Sequence, residues 1–388
     1  MDIIIQPTKL CGSIKAIPSK SQAHRYLICA AFADGETVLI CPETNRDIEA
    51  TADCLRALGA SITRTADGYR ILPIQTVPEY AVLNCCESGS TLRFMLPIVG
   101  ALGVDALFQM EGRLPSRPLS PLWEEMERMG CELSRPDATT IRCSGKLRTG
   151  KYSIDGSISS QFITGLLFAL SLIDGKTDLE ITGKLESKPY IDMTRASMAL
   201  FHAPNYRTPG HIQVEGDWSN GAFFLAAKAM GNSLTVTDLN NESVQGDRAA
   251  AVLIPALSEY TCIDAADIPD LVPILAVVAA QNKGAVFTNI QRLRLKESDR
   301  VETVIEMLRS LGGCAEAAEN VLTVYGTGLT GGTVNSHNDH RIAMSAAIAA
   351  TVCTRPVTIL GADAVNKSYP AFWKEYRKLG GNYEQYLR

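Results

Sequence analysis

Apolar positions along this chain fall into two alternating kinds of run. The first is apolar almost all round, as in Phe162-Ile-Thr-Gly-Leu-Leu-Phe-Ala-Leu170 and Ala343-Met-Ser-Ala-Ala-Ile-Ala-Ala350. A helix with that pattern has no face for solvent and must be buried. The second is amphipathic and closes in a turn, at 54–59, 125–130, 198–202, 253–258, 306–312 and 376–380, four of them ending on the glycine that helix stops prefer. After each apolar helix comes a short β-rich run: Val38-Leu-Ile, Ala106-Leu-Phe, Leu179-Glu-Ile, Leu234-Thr-Val, Ala285-Val-Phe and Val357-Thr-Ile. The unit helix, strand, helix, strand thus recurs six times, from starts near Ser19, Glu87, Ile158, Asp217, Ile268 and Asn338, roughly every 50 to 70 residues. A β-hairpin is expected between copies, trimmed around 203–213 and 255–268. Six copies predict an α/β protein of two domains, three copies in each, with helices buried inside sheets.

If the apolar helices are buried, their polar starts must face a cleft. A helix N-terminus offers unpaired N–H groups and positive potential, which suit phosphate or carboxylate. The first start, 17–25, adds Lys20, Ser21 and Arg25, with Pro18 at the helix edge and Ser19 or Ser21 as its cap. The second, 87–93, offers Gly89 for close backbone approach, hydroxyls at Ser88, Ser90 and Thr91, and Arg93 one turn in. The third offers Ser159, Ser160 and Gln161, and later starts carry Asp217 with Ser219, Asp270, and Asn338-Asp-His-Arg341. The amphipathic helices open with Arg113 and Arg117, Ser187-Lys-Pro-Tyr190, Gln245-Gly-Asp247, Lys296-Glu-Ser-Asp-Arg300 and Lys367. Arginine suits bidentate recognition of carboxylate and phosphate, so the inventory predicts a substrate with several anionic groups. Asp270 and Glu297 stand among these cations as proton-transfer candidates. Two plainer readings stay open: Asp270 as an N-terminal cap, and Glu297 as an ion pair with Arg294 or Arg300.

Composition narrows this. With 388 residues the length fits two domains. A 46% hydrophobic and 20% charged chain is ordinary for a globular protein, and a net charge of -5 speaks against a nucleic-acid or acidic-membrane partner. Anion binding must therefore be local. The eleven cysteines are scattered without a C-x-x-C pair, which suggests neither a disulfide framework nor zinc and fits a reducing cytoplasm. No export signal or membrane insertion is expected. The run Gly326-Thr-Gly-Leu-Thr-Gly331 matches G-x-G-x-x-G but is followed by Gly332-Thr-Val-Asn-Ser, which reads as a hairpin and not as a dinucleotide site. His337, Asp339 and His340 lack the further compact ligands a metal site needs.

Ten ordered segments carry a resemblance to a known family. They are Ser19-Lys-Ser with Arg25, Ser88-Gly-Ser-Thr-Leu-Arg93, Arg117-Pro-Leu, Asp155-Gly-Ser-Ile-Ser-Ser-Gln-Phe162, Ser187-Lys-Pro-Tyr-Ile-Asp192, Val214-Glu-Gly-Asp217, Gln245-Gly-Asp247, Ile268-Pro-Asp270, Leu295-Lys-Glu-Ser-Asp-Arg300 and Asn338-Asp-His-Arg341. Through them the chain resembles, over almost its whole length, the enolpyruvyl transferases of the 5-enolpyruvylshikimate-3-phosphate synthase type. The resemblance implies a two-domain inside-out α/β barrel of six βαβαββ-like repeats. One domain would be 1–18 plus 218–388 and the other 19–217, with the active site in the cleft between them. The implied reaction passes the enolpyruvyl group of phosphoenolpyruvate to the 5-hydroxyl of shikimate 3-phosphate, through a tetrahedral adduct that loses phosphate. By similarity, Lys20, Ser21, Arg25, Ser159, Ser160, Gln161, Ser187, Tyr190, Asp270 and Lys296 contact shikimate 3-phosphate. Lys20, Gly89, Arg117, Gln161, Arg300, Arg341 and Lys367 cradle phosphoenolpyruvate. Asp270 accepts the hydroxyl proton and Glu297 protonates the methylene carbon, with Lys20 assisting.

The implied enzyme is a cytoplasmic monomer acting on these two small molecules, with no cofactor, metal, nucleic acid or membrane partner. Three departures from the family pattern stand out: the more usual Pro-Gly-Ser-Lys-Ser appears as Ile17-Pro-Ser-Lys-Ser21 with His24 replacing an Asn, Glu87 stands where many members carry Asn, and the chain is short through lost hairpin residues. Two further readings fit the same scaffold: a UDP-N-acetylglucosamine enolpyruvyl transferase, whose mobile loop carries a cysteine absent from 112–117 here, and a non-catalytic anion-binding relative.

Overall fold

A computed structural model of the chain describes residues 1–386. It divides into two compact units, one made of Met1–Ile17 with the chain from Glu215 onward, the other of Pro18–Val214. The first is discontinuous because the chain leaves it after Ile17 and returns at Glu215.

The continuous unit holds the apolar helices Lys20–Ala31, Gly89–Leu102 and Ser160–Leu170. Tyr80–Asn84 pairs in parallel with Asp105–Gln109 across the second helix, and Gly150–Asp155 with Thr177–Thr182 across the third. The first helix leads to Thr37–Ile40, whose parallel partner His211–Gln213 comes from the far end of the unit. Amphipathic helices follow at Arg46–Ala57, Leu122–Arg128 and Lys188–Leu200. Hairpins Ser61–Arg64 with Gly68–Leu72 and Cys131–Ser134 with Thr140–Gly145 bring two sheets to four strands, while the third stays at two.

The discontinuous unit repeats this plan around Trp218–Ala229, Val272–Gln281 and His340–Ala349. Cys11–Lys15 pairs with Ser233–Thr237, Thr261–Asp264 with Gly284–Thr288, and Gly332–Asn335 with Val357–Leu360, all parallel. The last sheet is finished by Asp2–Gln6, which lies antiparallel between Val357–Leu360 and Asn382–Tyr386. The two trimmed hairpins fall where they were expected. Within those stretches, His211–Gln213 and Thr261–Asp264 instead open the sheets of other copies.

The inside-out arrangement follows from the pattern of residues. Along Tyr80–Asn84 every second residue is buried, so the sheet has one face for the helices and one for water. Val272 through Ala280 are all buried, so this helix must be surrounded. Each fully buried Leu, Ile, Val or Phe contributes roughly 1.5–3 kcal/mol, and each unit closes its own apolar cluster around its three helices. The six sheets remain separate ladders of four or two strands; among the described residues no closed ring of strands forms. The layering, helices within sheets, is what makes the unit barrel-like.

Helix ends behave as the sequence suggests. Gly59, Gly130, Gly312 and Gly380 take left-handed φ values of 105°, 115°, 87° and 94°, and His202 adopts 57° at the corresponding point of its helix. One expectation is corrected. The glycine-rich run 326–331 joins Val321–Tyr325 in one sheet to Gly332–Asn335 in another, so it links two sheets and is no hairpin. It still leads into a strand, not a helix. Among the described residues no helix is long and apolar enough to cross a membrane.

Candidate active site

In the continuous unit three helix starts gather polar side chains. Ser88 and Ser159 act as side-chain caps, accepting from the Thr91 and Gln161 N–H groups at 3.2 and 3.3 Å. Ser19 occupies the N-cap position of the first helix, but its hydroxyl makes no capping bond, which corrects the expected cap. Lys20 is ion-paired instead: its Nζ lies 2.9 Å from Asp47 Oδ2 at the start of the next helix. Arg93 donates to Gln161 Oε1 at 2.7 Å and to the Pro118 carbonyl at 3.0 Å, and Gln161 donates to Ser90 Oγ at 2.9 Å. Gly89 lies under the arginines. A Cβ there would stand 2.6 Å from Arg117 NH1 and 3.0 Å from Arg93 NH1, so glycine is what lets the guanidiniums close over the helix start. Ser160 is buried in the turn behind Gln161.

Arg25 sits deeper than a surface anion ligand. It is 2% exposed and donates to Thr194 Oγ1 at 2.8 Å, the Ser21 carbonyl at 2.7 Å, the Tyr190 carbonyl at 2.9 Å and Thr164 Oγ1 at 3.3 Å. It also stacks 5.2 Å over Phe94. This fork ties Lys20–Ala31 to Ser160–Leu170 and Lys188–Leu200. Burial among neutral oxygens pushes its pKa down to about 10. Ser187, at the start of Lys188–Leu200, is 1% exposed and left-handed (φ 55°).

Two of the departures from the family pattern, His24 and Glu87, are built into the structure. His24 Nδ1 lies 2.7 Å from Thr51 Oγ1, which lies 2.7 Å from Thr91 Oγ1, which in turn donates to Ser88 Oγ at 2.7 Å. The chain of hydroxyls joins three helix starts. Burial, then the charges of Lys20 and Arg25, hold the imidazole well below its ordinary pKa, so it is neutral. Glu87 lies against the backbone of Gly112, where a Cβ would fall 1.8 Å from its Oε1, so a larger residue there would displace the Glu87 carboxylate.

The discontinuous unit is organised differently, around Arg300. Its NH1 lies 2.6 Å from Asp270 Oδ1, its NH2 2.6 Å from Glu297 Oε2 and its Nε 2.9 Å from Asp339 Oδ2. Asp270 also meets Lys296 Nζ at 3.3 Å and Arg341 NH2 at 3.3 Å, while Arg341 NH1 donates to the Asp270 carbonyl at 3.0 Å. Asp339 caps the last apolar helix, accepting from the Arg341 N–H at 2.9 Å, and takes the Ser298 hydroxyl at 3.0 Å. Lys367 Nζ donates to the Asn338 carbonyl at 2.9 Å.

Charge decides protonation here. Burial alone would raise the Asp270 pKa, but Arg341, Lys296 and Arg300 outweigh it and hold the carboxyl well below its usual range. Asp339 is likewise lowered by Arg300 against its burial. Burial pushes Lys296 down to about 8. Asp247, on the turn Gly246–Ala249, moves the other way: burial and then the charge of Asp270 push it up to about 6.

Of the two plainer readings, capping fails for Asp270. Leu271 is the N-cap of Val272–Gln281, and no side chain caps that helix. The ion pair of Glu297 is with Arg300, whereas Arg294 pairs with Asp299 and Glu302. Lys20, Gly89, Arg117, Ser159, Ser160, Gln161, Ser21, Arg25, Ser187 and Tyr190 all belong to the continuous unit, and Asp270, Lys296, Glu297, Arg300, Arg341 and Lys367 to the other.

Comparison with known proteins bears on this inventory. The family model for EPSP synthase (3-phosphoshikimate 1-carboxyvinyltransferase) matches residues 4–261 and 255–376. The chain belongs to the EPSP synthase family. It is 36% identical to the 3-phosphoshikimate 1-carboxyvinyltransferase of Clostridium kluyveri, covering 99% of this chain and 98% of that one. It is 38% identical to the protein of the same name from Clostridium perfringens, at 98% of each. Among solved structures it resembles EPSP synthase from Acinetobacter baumannii, with a TM-score of 0.78 at 20% identity over the whole of both chains. The enolpyruvyl transferase NikO from Streptomyces tendae follows the same fold, with a TM-score of 0.73 at 15% identity over 99% of this chain and 98% of that one.

Within this EPSP synthase fold, several side chains next to the expected site escaped the sequence. Asp47, Thr164 and Thr194 carry no motif of their own, and only contact with Lys20 and Arg25 reveals them. The N-cap position of Asp339, next to Arg341, was the one available signal for its part.

Proposed function

We propose that the chain transfers the enolpyruvyl group of phosphoenolpyruvate to the 5-hydroxyl of shikimate 3-phosphate and releases phosphate, as a cytoplasmic monomer. The observation that carries this reading is the pair Asp270 and Glu297 held on one buried arginine beside Lys296 and Arg341. An anion binder needs cations; two carboxylates among them serve proton transfer. Asp270, kept ionised by three cations, takes the 5-hydroxyl proton as the oxygen attacks C2 of phosphoenolpyruvate. Glu297 delivers a proton to the methylene carbon, giving the tetrahedral adduct. Elimination returns a proton from the new methyl group to Glu297 as the C–O bond to phosphate breaks, and the proton taken by Asp270 leaves on the phosphate. Lys20, Arg117, Arg341 and Lys367 hold the phosphate and carboxylate charges through both steps, the electrostatic share of the catalysis. Ser159, Ser160, Gln161, Ser187 and Tyr190 seat shikimate 3-phosphate in a turn fixed by Arg25.

The test is phosphate release with each substrate alone, with both, and with phosphoenolpyruvate plus UDP-N-acetylglucosamine. Release is expected only with phosphoenolpyruvate and shikimate 3-phosphate together; release with the UDP-sugar would overturn the assignment.

A further inference from the structure

The three carboxylates on Arg300 are not equally committed to it. Asp339 is fully buried, takes a second bond from Ser298 and caps its own helix, so the fold fixes it against Nε. Asp270 and Glu297 are 18% and 26% exposed and hold the other edge of the guanidinium, at NH1 and NH2. One edge of Arg300 is thus anchored, while the other is bridged by two acids that reach solvent.

This raises a chemical difficulty within the reading above. An acid that protonates carbon must be neutral, yet Glu297 stands 2.6 Å from a guanidinium, which favours its carboxylate form. We propose that Arg300 changes partners when phosphoenolpyruvate binds: NH1 and NH2 turn from Asp270 and Glu297 to an anionic group of the substrate, and Glu297 takes a proton from solvent and keeps it for the methylene carbon. The inference rests on the functional reading.

The surrounding charges make the hand-over selective. Asp270 faces Arg341, Lys296, Arg300 and Asp247, so losing Arg300 still leaves it Lys296 and Arg341 and it remains a base. Glu297 faces Arg300, Lys296 and the buried negative charge of Asp339. Once Arg300 turns away, it stands beside Asp339 and an arriving anion, both of which favour its neutral form. Two carboxylates that share a cation in this structure become one base and one acid. The proton balance closes: the one taken up on binding goes to carbon in the addition and returns in the elimination.

The test is calorimetry of 2-phospholactate binding to the enzyme saturated with shikimate 3-phosphate. This ligand carries the same carboxylate and phosphate without the double bond, so nothing turns over. Work above pH 7 keeps its phosphate fully ionised, since the second pKa is about 6. Across buffers of differing ionisation enthalpy, the heat should vary with a slope approaching roughly one proton taken up per ligand. The slope should fall towards zero in Glu297→Gln, which keeps Lys296. Affinity in the unaltered enzyme should also weaken with rising pH, by up to about tenfold per unit. A buffer-independent heat, a pH-independent affinity, or an undiminished slope in Glu297→Gln would overturn the hand-over. Absence of phosphate release from the true substrates would instead sink the functional reading beneath it.

Discussion

Arg25 and Arg300 are both buried arginines near the start of a helix, in its second and first turn respectively, and the two units treat them in opposite ways. Arg25 is met by two carbonyls, two threonine hydroxyls and a phenylalanine face. Arg300 is met by three carboxylates. The consequence appears in their proton affinities: burial among neutral oxygens lowers that of Arg25, and the acids raise that of Arg300 well above its ordinary value. One unit meets its cation with neutral groups alone, so positive potential builds around it. The other neutralises its cation with groups that can themselves move protons. On the proposed function, a shared repeat therefore supplies a binding half and an acid–base half.

The sharpest way to break this contrast is Glu297→Gln. It should retain both substrates yet turn over at least about a hundredfold slower, as expected for a lost general acid; single-turnover rates alongside equilibrium binding would show it, and an unchanged rate would put the acid elsewhere. Arg25→Lys probes the other side. It keeps the charge but not the fork, so the loss should appear as stability, about 2–3 kcal/mol for charge-assisted bonds that cannot be remade. Hydrogen exchange should quicken in Ser160–Leu170 and Lys188–Leu200, the helices the fork joins; unchanged protection there would deny Arg25 its clamping part.

A third change tests the sign of buried charge in the acid–base half. Asp247 has its folded pKa raised to about 6 from an unfolded value of about 3.9. A raised pKa means that stability is fully present below the unfolded value and is lost as pH rises through the folded one. Asp247→Asn should therefore stabilise the protein at pH 7.5 by about 2 kcal/mol, with the gain shrinking below pH 5. Denaturant unfolding at both pH values decides it, and a destabilised variant at neutral pH would show that the ionised carboxylate is well compensated. Asp270 and Asp339 work in the opposite sense. Their lowered values add stability above the unfolded pKa that is lost on acidification.

Much of the architecture is legible along the chain. All-round apolar runs announce buried helices, and glycines at 59, 130, 312 and 380 mark helix stops that do turn left-handed. Less legible were partners from distant segments. The parallel partner of Thr37–Ile40 comes from 211–213, and the N-terminal strand completes a sheet with residues beyond 356, pairings that no local pattern announces. At the site, Lys20 was visible and Asp47 was not, because a helix-start aspartate looks the same whether or not a lysine meets it.

What the sequence determined by itself was the repeat, the burial of six helices and the residue types at their starts, since periodicity and capping act over a few residues. Only the tertiary structure decided what those residues do to one another. Arg25 finds Thr194 and Thr164 across 169 and 139 positions, and Arg300 finds Asp339 and Asp270 across 39 and 30. A buried charge must be met by whatever the packed chain brings within about 3 Å. That meeting makes one arginine a clamp and the other a counter-ion to three carboxylates.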